Sequence, residues 1–123
     1  MPQTRKKILI IEDDESLVKD LEIKLAQAGF KTKTAFNGID GIELLKKESF
    51  SLIILGLIMP KMDGFTVLAI LKVKKTKTPV IVFTNLNKDS AIRHAKEFGV
   101  KDFFVKSKTP VETIILRAKE ILK

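Results

Sequence analysis

The chain has no cysteine, which removes disulfides, thiolate nucleophiles and cysteine-held metals together. It has no tryptophan or tyrosine either, so any stacking on nucleic-acid bases would fall to the eight phenylalanines, most of which sit in apolar patterns that read as core. A single histidine, His94, leaves a histidine-rich metal site and an ordinary serine-hydrolase triad out of reach. Flanked by Arg93 and Ala95 in a helical pattern, it reads as a surface or half-buried residue rather than a pH sensor. No apolar run approaches the roughly 20 residues that cross a bilayer. The run "ILII" after the basic opening "MPQTRKK" is too short for a signal-peptide core, so a cytoplasmic location is the expectation.

What remains is a composition of 45% hydrophobic and 31% charged residues over 123 positions, which suits one folded domain spanning 1–123 and leaves no room for two. The formal charge of +8 would favour a polyanion if the cations were gathered, because lysines gain by releasing the counterions around phosphates. They are scattered. The densest run, "KVKKTK" from Lys72 to Lys77, has no aromatic residue within it and reads as a solvated helix end. Neither nucleic acid nor membrane is expected as a partner.

Along the chain, short apolar runs alternate with amphipathic stretches, which argues for a parallel sheet with helices on both faces. "KILIIE" (Lys7 to Glu12) is continuously hydrophobic, as a strand buried on both faces should be, and it ends in acid. Leu17, Val18, Leu21, Leu25 and Ala28 then recur at helical spacing before Gly29. "KTKTAF" (Lys31 to Phe36) alternates like an edge strand guarded by lysines. An "NG" turn, a short helix from about Ile39 to Lys47 and the strand "SLIILGL" follow. "FTVLAILKVK", "PVIVFT", "KDSAIRHAKEF" and "DFFV" continue the alternation as helix, strand, helix and strand. The last helix opens at "TPVE", where Thr109 is expected to cap, Pro110 to take the first helical position and Glu112 to complete a capping box.

Five such units with right-handed crossovers make a doubly wound α/β sheet, and sheets of that kind hold their sites at the carboxyl ends of the strands. Gathered there are Glu12, Asp13 and Asp14 after strand one, Gly56 near the end of strand three, Thr84 after strand four and Lys106 after strand five. Lys106 competes with the many other lysines of the chain, and the other five have plainer readings. The three acids suit a helix N-terminus, Thr84 suits a strand-end hydroxyl satisfied by backbone, and Gly56 is tolerable where a strand meets a turn.

The segments "ILIIEDDE", "LIILGLIMPKMDG", "PVIVFTN" and "GVKDFFVKS", in this order and spacing, resemble the receiver domain of two-component response regulators from about Lys7 to Lys123. The resemblance implies a flavodoxin-like (βα)5 fold with strand order 2-1-3-4-5. It implies that Glu12 and Asp13 hold Mg²⁺, helped by the backbone carbonyl of Ile58. It also implies that Thr84 contacts a phosphoryl group, that Lys106 pairs with it and that Phe103 is the switch aromatic. The family's phospho-accepting aspartate falls at Gly56. Glycine offers neither a nucleophilic carboxylate nor a hard oxygen to a cation, and positioning by neighbours does not replace a missing nucleophile. The proline that commonly follows the family's lysine is Ser107 here. With Glu12 and Asp13 set against Lys106 alone, the pocket carries roughly one net negative charge, so the cofactor expectation is none, or weakly bound Mg²⁺. Lys106 is expected to pair with Asp13.

These departures imply a degenerate receiver, a pseudo-receiver: a stand-alone signalling module rather than an enzyme. It would act through protein contacts made by helix four, strand five and helix five, with a histidine kinase or an output protein as partner, or as a homodimer. Read as complete, the chain leaves output to a partner; read as an excerpt, it belongs to a longer regulator or kinase. Two rivals stay open: a phospho-acceptor using Asp13 or Asp14, and a basic nucleic-acid binder in the same shell.

Overall fold

The computed structural model describes residues 5–123. The first four residues, part of the opening segment weighed for export and of the 1–123 domain, lie outside that range.

The strands are β1 (Lys7–Ile11), β2 (Lys31–Ala35), β3 (Leu52–Leu55), β4 (Val80–Thr84) and β5 (Asp102–Val105), alternating with helices α1 (Glu15–Gln27), α2 (Gly38–Lys47), α3 (Gly64–Val73), α4 (Asp89–Glu97) and α5 (Val111–Ile121). The strands form one parallel sheet in the order β2-β1-β3-β4-β5. Both expectations for the fold therefore hold, and the lysine-guarded β2 is an edge strand. β1 and β3 are the clearest products of their sequences: Ile8, Leu9, Ile10, Ile11, Leu52, Ile53 and Leu55 are fully buried. At about 1.5–3 kcal/mol for each aliphatic side chain removed from water, no surface position would suit either run.

Alternation sends these side chains to opposite faces and makes two cores. Leu9, Ile11, Ile53, Leu55 and Val82 meet Val67 and Leu68 of α3 and Ala95 of α4. Ile8, Ile10, Leu52, Ile54, Ile81 and Phe83 meet Val18 and Leu21 of α1 and Ile114 and Ala118 of α5. Phe103 packs on the first face and Phe104 on the second, and both are half-buried.

Two local expectations are corrected. Asn37 and Gly38 do not form a free turn: Asn37 caps α2, its side-chain oxygen accepting from the Asp40 N–H at 2.9 Å, and Gly38 is already helical. The capping box at α5 is absent. Pro110 is the cap residue, and no side chain caps this end. Lys106–Lys108 form a 3₁₀ turn to which the Thr109 N–H donates. That turn uses up the residues that would have set Thr109 at the cap. Glu112, freed from the box, pairs with Lys24 of α1 at 2.7 Å.

Candidate functional site

Register decides what emerges at the carboxyl end of the sheet. Ile11 lies opposite both Ala35 and Leu55, so the next residues, Glu12 and Gly56, leave neighbouring strands side by side. The Gly56 N–H donates to the Ile11 carbonyl at 2.8 Å, fixing their approach. Thr84 lies opposite Val105, which puts Lys106 one residue beyond it on the edge strand.

Glu12 is 3% exposed, an unusual place for a carboxylate, and both its oxygens are engaged. Oε1 meets Lys106 Nζ at 2.8 Å, and Oε2 accepts from the Asp14 N–H at 2.9 Å. Burial pushes the Glu12 carboxyl above the ordinary glutamate value, against the lowering pull of Lys106 and of the Asp14 N–H. The expected partner of Lys106 was Asp13. The structure gives it Glu12 instead: Glu12 is buried at the mouth of the sheet, while Asp13, its side chain within hydrogen-bond reach of the Glu12 carboxyl, is exposed.

Gly56 is buried, and its backbone is outside the left-handed region that demands glycine. Space is what it supplies. A Cβ built there would lie 2.6 Å from Glu12 Oε1 and 3.3 Å from Glu12 Cδ, so the glutamate carboxylate occupies the room a side chain at 56 would need. A second close approach supports the first: a Cβ on Gly64 would meet the Gly56 carbonyl oxygen and come within 2.8 Å of the Leu57 Cα, while the Gly64 N–H donates to the Leu57 carbonyl at 2.9 Å. Sequence reading missed the demand at Gly64; its signal was a glycine directly after Asp63, the residue that caps α3 by accepting from the Thr66 N–H.

Thr84 is 2% exposed, and its hydroxyl oxygen accepts from the Leu86 N–H at 3.2 Å, the backbone-satisfied arrangement that was its plainer reading. Asp14 is the cap of α1, accepting from the Leu17 N–H at 3.2 Å. Ile58 projects outward with 65% of its surface exposed. Ser107 makes a bond no proline could make: its N–H donates to Asn85 Oδ1 at 3.1 Å and ties the loop after β5 to the loop after β4. His94, exposed on α4, stacks on Phe65 of α3 at 4.8 Å and tilts against Phe98 at 5.2 Å, a contact the sequence pattern did not suggest.

The donor set is poor for the Mg²⁺ that the resemblance implies. A divalent ion of that kind needs free, hard oxygens. Both oxygens of Glu12 are committed, Asp13 beside it is exposed, and Gly56 supplies none. Among the described residues no group of three or more carboxylate or histidine side chains is placed to hold a metal. The arrangement is an ion pair with its carboxylate buried and its ammonium partly exposed.

Comparison with known proteins agrees with this layout. The response regulator receiver domain family matches residues 8–117. A probable transcriptional regulator, ycf27, of Porphyra purpurea is 32% identical over 123 residues, covering 100% of this chain and 50% of its own. The transcriptional regulatory protein AfsQ1 of Streptomyces coelicolor is 34% identical over 113 residues, covering 91% of this chain and 48% of its own. The chain thus spans about half the length of these relatives. Among solved structures, a two-component response regulator from Clostridium difficile superposes with a TM-score of 0.89 at 28% identity, covering 96% of each chain. The receiver domain of the Francisella response regulator 1452 does so with 0.89 at 25% identity, covering 95% of this chain and 96% of that one. With the strand order, the pocket at the carboxyl ends and a family match over most of its length all in accord, the chain belongs to the response regulator receiver domain family.

Proposed function

We propose that this receiver domain is a degenerate one, a signalling module that does not take a phosphoryl group at position 56 and works through protein contacts rather than as an enzyme. The observation that carries the reading is Gly56: it has no nucleophile, and the space beside it holds the carboxylate of Glu12. Phosphorylation ordinarily biases a two-state equilibrium, so here the balance is set by sequence or by a partner. The contact surface is α4, β5 and α5. β5 is an edge strand of half-buried residues, α4 buries only Ala95, and Leu116 on α5 is 59% exposed. The partner is a histidine kinase or an output protein of the phosphorelay, or a second copy of the chain, in the cytoplasm. The described residues contain no helix long and apolar enough to cross a membrane.

Incubation with a small phosphodonor and Mg²⁺, followed by intact-mass measurement, tests this. No phosphoryl adduct is the expected result. An adduct that disappears in Asp13→Asn or Asp14→Asn would instead support a substitute acceptor, a reading favoured only by the exposure of those two carboxylates.

A further inference from the structure

The Lys106 ammonium crosses the mouth of the sheet to reach a carboxylate that the resemblance assigns to a metal. We infer that Lys106 is a built-in counter-ion standing where a divalent cation would be needed, so that this pocket is closed to Mg²⁺ and Mn²⁺ and opens to them only when the lysine is removed. Four observations converge on it. Glu12 is 3% exposed, and a buried carboxylate requires a cation or a dense set of donors. It has the cation and one backbone donor: Lys106 Nζ at 2.8 Å on one oxygen and the Asp14 N–H at 2.9 Å on the other. Its carboxylate leans into the volume beside Gly56, a placement a larger residue at that point would forbid, as the 2.6 Å separation from a built Cβ shows. The root of Lys106 is itself held, by the 3₁₀ turn Lys106–Lys108 and by the Ser107 N–H to Asn85 Oδ1 bond of 3.1 Å.

A divalent ion entering this pocket would have to displace the ammonium from Glu12, and the carboxylate it would find beside Glu12 is that of the exposed Asp13. The net charge left to attract it, with Glu12 and Asp13 against Lys106, is about minus one. Removing the lysine changes both quantities at once: Glu12 loses its cation, and the local charge falls to about minus two. Lys106 can play this part only if position 56 offers no carboxylate, as proposed above; whether Asp13 or Asp14 accepts a phosphoryl group is a separate matter.

The test is a titration of the full chain with Mg²⁺, and separately with paramagnetic Mn²⁺, followed through the amide resonances of Asp13, Asp14, Gly56 and Leu57. The native chain is expected to show no saturable shift or selective broadening at millimolar metal. Lys106→Met is expected to show both, with an affinity at least tenfold above that of the native chain. Lys106→Arg, which keeps the cation, is expected to stay silent. If Lys106→Met does not fold, Lys106→Gln, which keeps a hydrogen-bond donor and loses the charge, takes its place with the same expectation. Saturable binding by the native chain, or silence in a folded variant lacking the charge, overturns the inference. The readout uses no phosphodonor, so a phosphoryl adduct found in the earlier experiment and a metal response found here are separate failures.

Discussion

Lys106 and Glu12 form an ion pair of 2.8 Å although their strands, β5 and β1, are separated in the sheet by β3 and β4. The lysine side chain reaches past the carboxyl ends of two intervening strands to a carboxylate that lies in the space beside Gly56. The two ends of the pair are unlike: Glu12 is nearly sealed from solvent, with a side chain 4% exposed, whereas that of Lys106 is 21% exposed.

That asymmetry predicts unequal costs for removing the partners. Lys106→Met leaves a carboxylate buried without a cation, and the loss expected at pH 7 is about 3 kcal/mol, since breaking a buried pair from one side strands the other charge. Glu12→Gln leaves an ammonium that can turn toward water and keeps the hydrogen bond from the Asp14 N–H, so about 1 kcal/mol is expected. Urea unfolding of both variants at one pH measures the two costs. Equal losses would mean that Glu12 is not the buried end of the pair.

Steric demand at the two glycines predicts a second ordering. Gly56→Ala confronts the far end of a flexible side chain, the Glu12 carboxylate, which can swing away at the expense of its pairing with Lys106. A loss of about 1–2 kcal/mol is expected, in the range of ordinary overpacking. Gly64→Ala confronts backbone at Gly56 and Leu57, which cannot move without pulling α3 from the end of β3. A loss of about 3 kcal/mol or more is expected there. Thermal unfolding of the pair, with the lower midpoint belonging to Gly64→Ala, checks the order.

Ser107 predicts a third outcome through its backbone rather than its side chain. Ser107→Pro deletes the N–H that donates to Asn85 Oδ1, at an expected cost of about 1 kcal/mol for an exposed bond of this kind. Asn85→Ala deletes the acceptor. If the bond is what matters, the double variant costs less than the sum of the single ones, by about 0.5 kcal/mol or more in a double-mutant cycle. Simple additivity would show that the proline acts on the loop in some other way.

How far the sequence disclosed this molecule depended on the range of the interaction involved. β1 and β3 were legible because burial on both faces leaves continuous aliphatic runs, and β2 because an edge strand must carry its own guard. Glu12, Gly56, Thr84 and Lys106 could be placed at one mouth because each follows or ends a strand of a parallel sheet. Who pairs with whom could not. Asp13 and Glu12 are adjacent in sequence and chemically alike, and only the pleat decides which of them points inward. The α5 cap failed for a similar reason: "TPVE" satisfies the local rule, but the 3₁₀ turn before it and the pull of Lys24 on Glu112 are tertiary. The stacking of His94 on Phe65 joins two helices and has no trace in either helix alone.

The last prediction concerns acid. Glu48, at the C-terminus of α2, takes Lys7 of β1 on Oε1 at 2.5 Å and Lys33 of β2 on Oε2 at 3.1 Å, and these two hydrogen-bonded ammonium groups hold its carboxyl below the ordinary glutamate value of 4.5. A carboxyl with a lowered folded value binds protons more weakly folded than unfolded, so its contribution to stability is present above pH 4.5 and is lost as the pH falls below it. Glu48→Gln removes that contribution: the variant is expected to be less stable than the native chain at pH 7 and to converge on it as the pH drops well below 4.5. Glu112, lowered in the same direction by Lys24 but with a side chain 65% exposed against 23% for Glu48, should give a smaller difference that salt screens more readily. Unfolding midpoints across the acid range, at low and high salt, measure both. A gap between Glu48→Gln and the native chain that stays constant down to the lowest pH would mean that the two lysines stabilise the α2 end by packing rather than by charge.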